Sequence, residues 1–174
     1  MENSRTSSSK RTSTHQPRVK ATDSNNNTIN RSTDTLVYAL GGLGEVGKNM
    51  YCVEHGDEII IIDVGVLFPE EGLLGVDYVI PDFSYVVKNQ QKIKAVIITH
   101  GHEDHIGAIP FLLQNIRIKE IYAPRFACAL INKKLEERHL SRSVKLTEIN
   151  SDSRVTTEHF NVGFFNTVHS IPDS

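Results

Sequence analysis

Cysteine is scarce in this 174-residue chain: there are two, too few for a disulfide scaffold. Cys52 and Cys128 sit among apolar and aromatic neighbours (Met50-Tyr51-Cys52-Val53 and Phe126-Ala127-Cys128-Ala129-Leu130), the setting of buried, reduced thiols. Neither the glycine period of collagen nor the heptads of a coiled coil occur, and no internal repeat is found. Long apolar runs are missing as well. The longest centres on Ile59 to Ile62, far short of the roughly 20 residues that span a bilayer, and no secretory apolar segment is present. These absences together predict a soluble protein in a reducing cytoplasm, with no membrane partner.

Apolar residues are also nearly absent from the first 34 positions. Eighteen of those 34 are Ser, Thr or Asn, and only Met1, Val19, Ala21 and Ile29 are apolar. Such a segment cannot bury enough surface to offset chain entropy, so residues 1–34 are expected to be a disordered polar tail. The tail lacks the amphipathic period of an organelle transit peptide. The other 140 residues contain 63 apolar ones, ample for a single core. With six Lys/Arg against three Asp/Glu the tail is +3, which leaves −5 on residues 35–174 out of a total of −2. No basic field marks the ordered part as a nucleic-acid binder.

The order of elements follows from periodicity. Leu36 to Leu40 predicts a strand that stops at a glycine-rich turn, Gly41 to Gly47. Gly42, Gly44 and Gly47 fit the spacing of a dinucleotide fingerprint, yet Asn49 to Glu54 alternates like a strand where that motif needs a helix, so a hairpin is expected. Glu58 to Ile62 and Ala95 to Thr99 are β-rich and nearly continuous, the pattern of strands covered on both faces. Asp77 to Gln90 reads as a loop and a short helix. Ile106 to Ile116 keeps helical spacing with Pro110 in the first regular turn. Ile121 to Ala123 reads as a strand and Phe126 to Glu137 as a helix. Val162, Phe164 and Val168 alternate, predicting a last strand that ends at His169. Strands interleaved with helices imply a layered α/β domain.

The second buried strand runs straight into His100-Gly101-His102-Glu103-Asp104-His105. A metal ion needs neutral imidazoles and carboxylates converging on one point, and a loop at a strand end delivers them without burying bare polar groups. His100 and His102, with Gly101 between, can turn to one side, and Asp104 and His105 can reach a neighbouring point from the start of the next helix. That arrangement describes two metals held close together; a solvated or purely structural histidine cluster is the alternative. His169 is the candidate third ligand for the first metal. His15, His55, His139 and His159 lie in polar stretches and read as solvated.

His-x-His-x-Asp-His after a strand resembles the signature of the metallo-β-lactamase superfamily. Four further segments narrow the likeness: Leu40 to Asn49, Ile61 to Gly65, Asp77 to Asp82 and His169 to Ser174. With Ile98 to Gly107 they resemble the bacterial ribonuclease J family of the β-CASP group, from about Leu36 to the last residue. The resemblance implies a four-layer αββα sandwich, of which residues 35–174 would form about the N-terminal half. It implies zinc as cofactor, with His100, His102 and His169 on one ion, Asp104 and His105 on the other, and Asp63 supporting the metal loop by hydrogen bonds. Asp104 and His105 would also be catalytic, and the glycine loop around Gly42 would support the site with no nucleotide bound. The implied activity is endonucleolytic and 5′-to-3′ exonucleolytic hydrolysis of RNA in rRNA processing and mRNA decay. The implied partners are RNA and a second copy or a paralogue.

The family pattern continues beyond Ser174 with an aspartate bridging both metals, the β-CASP domain, a late histidine and a C-terminal domain. The expectation is therefore a chain inactive alone, holding about one zinc where the complete enzyme holds two. Two rival readings are a metallo-hydrolase of a small ester or thioester, and a non-catalytic binding subunit of an RNA-decay assembly.

Overall fold

A computed structural model describes residues 33–69 and 74–174. The expected disordered tail lies, but for Thr33 and Asp34, outside the described residues. Among the described residues, eight strands and four helices follow one another: β1 (Thr35–Gly41), β2 (Met50–His55), β3 (Glu58–Ile62), α1 (Ser84–Lys88), β4 (Ile93–Ile97), α2 (Glu103–Ile106), α3 (Ile109–Asn115), β5 (Glu120–Pro124), α4 (Arg125–Glu137), β6 (Lys145–Ile149), β7 (Arg154–Thr156) and β8 (Asn161–Gly163). A 3₁₀ turn, Gln90–Lys92, leads into β4. Strands β1 to β6 form one sheet in sequence order. The first two pairings are antiparallel, as the glycine-turn hairpin requires, and β3 to β6 run parallel.

Alternation along the strands divides the core. Met50, Cys52, Ile59, Ile61, Val96, Ile98, Ile121 and Ala123 face the helices and pack with Val86, Ile109, Leu112, Ile131 and Leu135. Ile60, Ala95 and Ile97 point to the other face, where Val155 of the antiparallel pair β7–β8 covers them with Phe160, Val162 and Phe164. A helical layer, a main sheet and the start of a second sheet are thus three of the expected four layers. No helix among the described residues is long and apolar enough to cross a membrane. Cys52 and Cys128 are free and buried, and burial pushes their thiols up to about 12 and about 11.

Two buried carboxylates pin the layers. Glu58, at the start of β3, accepts from the Thr157 hydroxyl and from the main-chain N–H of His159 at 2.9 Å, holding the β7–β8 turn against the sheet. Glu54, 1% exposed, accepts from the Tyr85 hydroxyl at 2.7 Å, Lys92 Nζ at 3.0 Å and the Tyr38 hydroxyl at 3.1 Å. Burial works to raise its pKa, and these bonds outweigh that and hold it below the ordinary glutamate value. Removing one partner of a buried, hydrogen-bonded charge leaves the others unsatisfied. Glu54→Ala is therefore expected to cost about 3 kcal/mol, read as a lower urea midpoint at unchanged slope; an unchanged midpoint would contradict the network's role.

The last expected strand needs correction. β8 ends at Gly163, and Val168 is fully exposed, so the alternation of Val162, Phe164 and Val168 does not continue as a strand to His169. Among the described residues no strand lies beside this segment to take its main-chain bonds. Instead it loops back, with Thr167 N–H donating to Ser174 O at 2.8 Å.

Candidate metal centre

The histidine-rich segment begins where β4 leaves its ladder. Ile98 N–H still bonds Tyr122 O of β5 at 2.8 Å, but Thr99 turns aside and donates its N–H to Asp63 Oδ1 at 2.8 Å. Asp63 follows the adjacent parallel strand β3, so the site lies beyond the carboxyl ends of β3 and β4, where open α/β sheets bind ligands. Asp63 is 4% exposed and has φ 61°, a left-handed conformation that Asp tolerates better than most residues. That turn aims its carboxylate back across the strand ends.

One hydrogen-bonded chain then fixes two imidazoles. His100 Nδ1 lies 2.9 Å from Thr99 Oγ1, and the Thr99 hydroxyl donates to Asp63 Oδ2 at 2.9 Å. With the hydroxyl proton committed to a carboxylate, Nδ1 of His100 must be the donor, which leaves Nε2 with its lone pair. His105 Nδ1 lies 2.8 Å from Asp63 Oδ2 and must also donate, since an ionised carboxylate only accepts. In the neutral ring its Nε2 is then the nitrogen with the lone pair. Burial works to lower the His105 pKa, but the Asp63 bond and charge, with the charge of Asp104, hold it above the ordinary value. His100 is pushed down to about 4 by burial and then by its histidine neighbours. It is therefore neutral at pH 7, the state that ligates metal.

Three imidazoles converge here. His100 Nε2 is 3.0 Å from His102 Nδ1 and 3.2 Å from His169 Nε2, and one ligand atom from each ring lies within 4.8 Å of the others. A tetrahedral zinc with bonds of about 2.0–2.1 Å sets neighbouring ligand atoms roughly 3.3 Å apart, so the two short spacings fit such an ion. Lone-pair nitrogens facing one another repel without a proton or cation between them, which again suits a metal. His169 arrives from the returning loop, closed by the Thr167–Ser174 bond and by Asp173, whose carboxylate accepts from Phe126 N–H at the start of α4 at 3.2 Å. Asp104 and His105 ride on α2 beside this group; Asp104 Oδ2 is 3.3 Å from His105 Nε2, and the His100 and His105 rings are 4.0 Å apart.

Every expected site residue is thus within one neighbourhood: His100, His102 and His169 together, Asp104 and His105 adjacent, Asp63 beneath. Thr99, Asn49 and Gly65 were not singled out by sequence reasoning. Only the proximity of Thr99 to His100 and the place of Asn49 at the end of the glycine turn hinted at them. Of the histidines read as solvated, His139 and His159 are exposed and His55 is half-buried with Nδ1 3.0 Å from Thr35 Oγ1; none joins the cluster. His15 lies outside the described residues.

A mixed sheet with helices on one face and a second sheet on the other, carrying this histidine group at its strand ends, defines a metallo-β-lactamase fold. The chain belongs to the metallo-beta-lactamase superfamily, whose family model matches residues 43–169. Its relatives include Ribonuclease J 1 of Streptococcus pyogenes, 57% identical over 137 residues, covering 79% of this chain and 24% of that protein. Ribonuclease J of Mycoplasma pneumoniae is 49% identical over 142 residues, covering 82% of this chain and 25% of that protein. The chain spans about a quarter of the length of these curated relatives. Among solved structures, the metallo-beta-lactamase fold protein YhfI from Bacillus subtilis aligns with TM-score 0.49 and 23% identity, covering 78% of this chain and 54% of that one.

Proposed function

We propose that this chain carries the metal-binding part of a zinc-dependent ribonuclease acting in RNA processing and decay, by endonucleolytic and 5′-to-3′ exonucleolytic hydrolysis. The observation that carries the reading is the convergence of three imidazoles beside an aspartate–histidine pair, in a sequence 57% identical to a Ribonuclease J 1. His100, His102 and His169 would hold one zinc, and Asp104 and His105 would contribute to a second. Residues 35–174 then make up part of the hydrolase domain, and the working form is an oligomer in the cytoplasm with RNA as substrate.

Zinc, when bound, supplies a nucleophile near neutral pH and positive charge for the phosphodiester. The protein's own groups set the conditions for that chemistry. Asp63 holds the His100 ring through Thr99 and the His105 ring directly, each at Nδ1, which leaves Nε2 of each to act as ligand. Asp104, whose carboxylate lies beside His105 Nε2, would accept a hydrogen bond from the attacking water. The depressed pKa of His100 keeps a proton from competing at that position down to about pH 4.

The test is the full product of the gene, assayed on labelled single-stranded RNA and on an acyl thioester. RNA cleavage that a chelator abolishes and zinc restores is expected, with the thioester untouched; thioester cleavage without RNA cleavage would overturn the reading. For the 174-residue chain, metal analysis after dialysis should give about one zinc per chain, because one site has three histidines and the other has two ligands. Two tightly held ions would contradict that ligand count.

A further inference from the structure

The glycine-rich turn between β1 and β2 has no role in the metal chemistry described above, yet it ends on a residue that grips the centre. Asn49 holds Asp104 by three donors. Its main-chain N–H bonds Asp104 O at 3.0 Å, and its side-chain Nδ2 bonds the same oxygen at 3.1 Å and Asp104 Oδ2 at 3.0 Å. The amide carries only two protons, and both serve Asp104, so its 3.3 Å approach to His105 Nε2 leaves that lone pair free. The surrounding glycines make this approach possible. Gly42 has φ +82°, and a Cβ there would sit 2.6 Å from Asn49 Oδ1; a Cβ on Gly41 would sit 2.2 Å from Lys48 O. Across the turn, Gly65 N–H bonds Asn49 O at 2.9 Å, and a Cβ on Gly65 would overlap Asp104 O at 1.5 Å.

We propose that the glycine turn serves to deliver Asn49, and that Asn49 is a positioning residue for Asp104. By tying down Oδ2, the oxygen 3.3 Å from His105 Nε2, it fixes how the carboxylate is presented to the second cation and to the attacking water. Asn49 acts through Asp104 and touches no reacting atom. The inference rests on the ribonuclease reading for its consequence in turnover, and on geometry alone for its consequence in cation binding.

The experiment compares Asn49→Ala and Asn49→Leu with the unaltered protein, since Leu fills the space of Asn without its donors. Calorimetric titration of metal-stripped chain with Co(II) reads a first, tight event at the three histidines and a second, weaker one at Asp104 and His105. Both variants should keep the first dissociation constant within about twofold. Both should weaken the second about tenfold or more, the usual loss when a residue orienting a metal ligand is removed. The unchanged first event also serves as the control for folding. In the full gene product, both should lower kcat on RNA with KM unchanged. A Leu variant indistinguishable from the unaltered protein in the second event would overturn the proposal, because space-filling alone would then suffice. If RNA is not cleaved by any form while the second event still weakens in both variants, the assignment of Asn49 stands and the ribonuclease reading falls.

Discussion

Asp104→Ala and His102→Ala are each expected to lower kcat/KM on RNA at least about a hundredfold in the full gene product, the equivalent of roughly 3 kcal/mol of transition-state stabilisation. His102 would contribute one of three nitrogens to the proposed first cation site, its Nδ1 3.0 Å from His100 Nε2, so its loss would leave two. Asp104 would contribute a carboxylate beside the second, its Oδ2 3.3 Å from His105 Nε2. Neither is part of the apolar core: His102 is half-buried at the head of α2, and the Asp104 side chain is 34% exposed. The circular dichroism spectrum should therefore be preserved in both variants. Near-normal turnover in Asp104→Ala with unchanged metal content would contradict the proposed role of its carboxylate.

The second large effect is on stability. Gly65→Ala should destabilise the chain by about 3 kcal/mol or more, the upper range for overpacking, because the added carbon would lie 1.5 Å from a main-chain oxygen that cannot rotate away. Relief requires α2 to move as a unit, and α2 is held to the 64–66 segment by Val64 N–H to His105 O at 2.7 Å and Val66 N–H to Glu103 O at 3.2 Å. The variant should lose its fold and its zinc affinity together. Gly44→Ala is the comparison: it has φ +74° with open space around it, so only backbone strain of about 1 kcal/mol is expected. Equal midpoints for the two variants in chemical denaturation would show that the contact at Gly65 does not matter.

Much of this architecture could be read from side-chain pattern. The continuous Ile59 to Ile62 and Ala95 to Ile98 announced strands covered on both faces, because each side chain has a separate apolar layer to enter. Asn49 to Glu54 alternated, and β2 followed. The boundary of β4 was read two residues late because Ile98 and Thr99 are as β-prone as their predecessors. What ends the strand is the Asp63 carboxylate drawing off the Thr99 N–H, a tertiary contact that propensity cannot register. The strand β6 was missed for a different reason. Lys145-Leu146-Thr147-Glu148-Ile149 lies at the sheet edge, where half its side chains meet water, so its composition resembles a loop. The opposite error occurred at Val168, where apolar spacing suggested a strand with no neighbour to pair with.

At the candidate site, residues whose chemistry is distinctive were legible: three histidines and an aspartate in six positions, and a second aspartate closing a buried strand. The residues that position them were not. Thr99 and Asn49 are common polar types, and what matters is where their protons point once β3, β4 and the glycine turn meet. The bearing of Gly65 is likewise a matter of space, invisible until Asp104 O is found against it.

One cation held by His100, His102 and His169 is the centre of the proposed site, and X-ray absorption at the zinc edge on the chain loaded with one equivalent tests it most directly. Three imidazole nitrogens at about 2.0–2.1 Å with one oxygen from water are predicted, and His169→Ala should reduce the imidazole count by one. A shell with fewer than three imidazoles in the unaltered chain, or one that His169→Ala leaves unchanged, would contradict it.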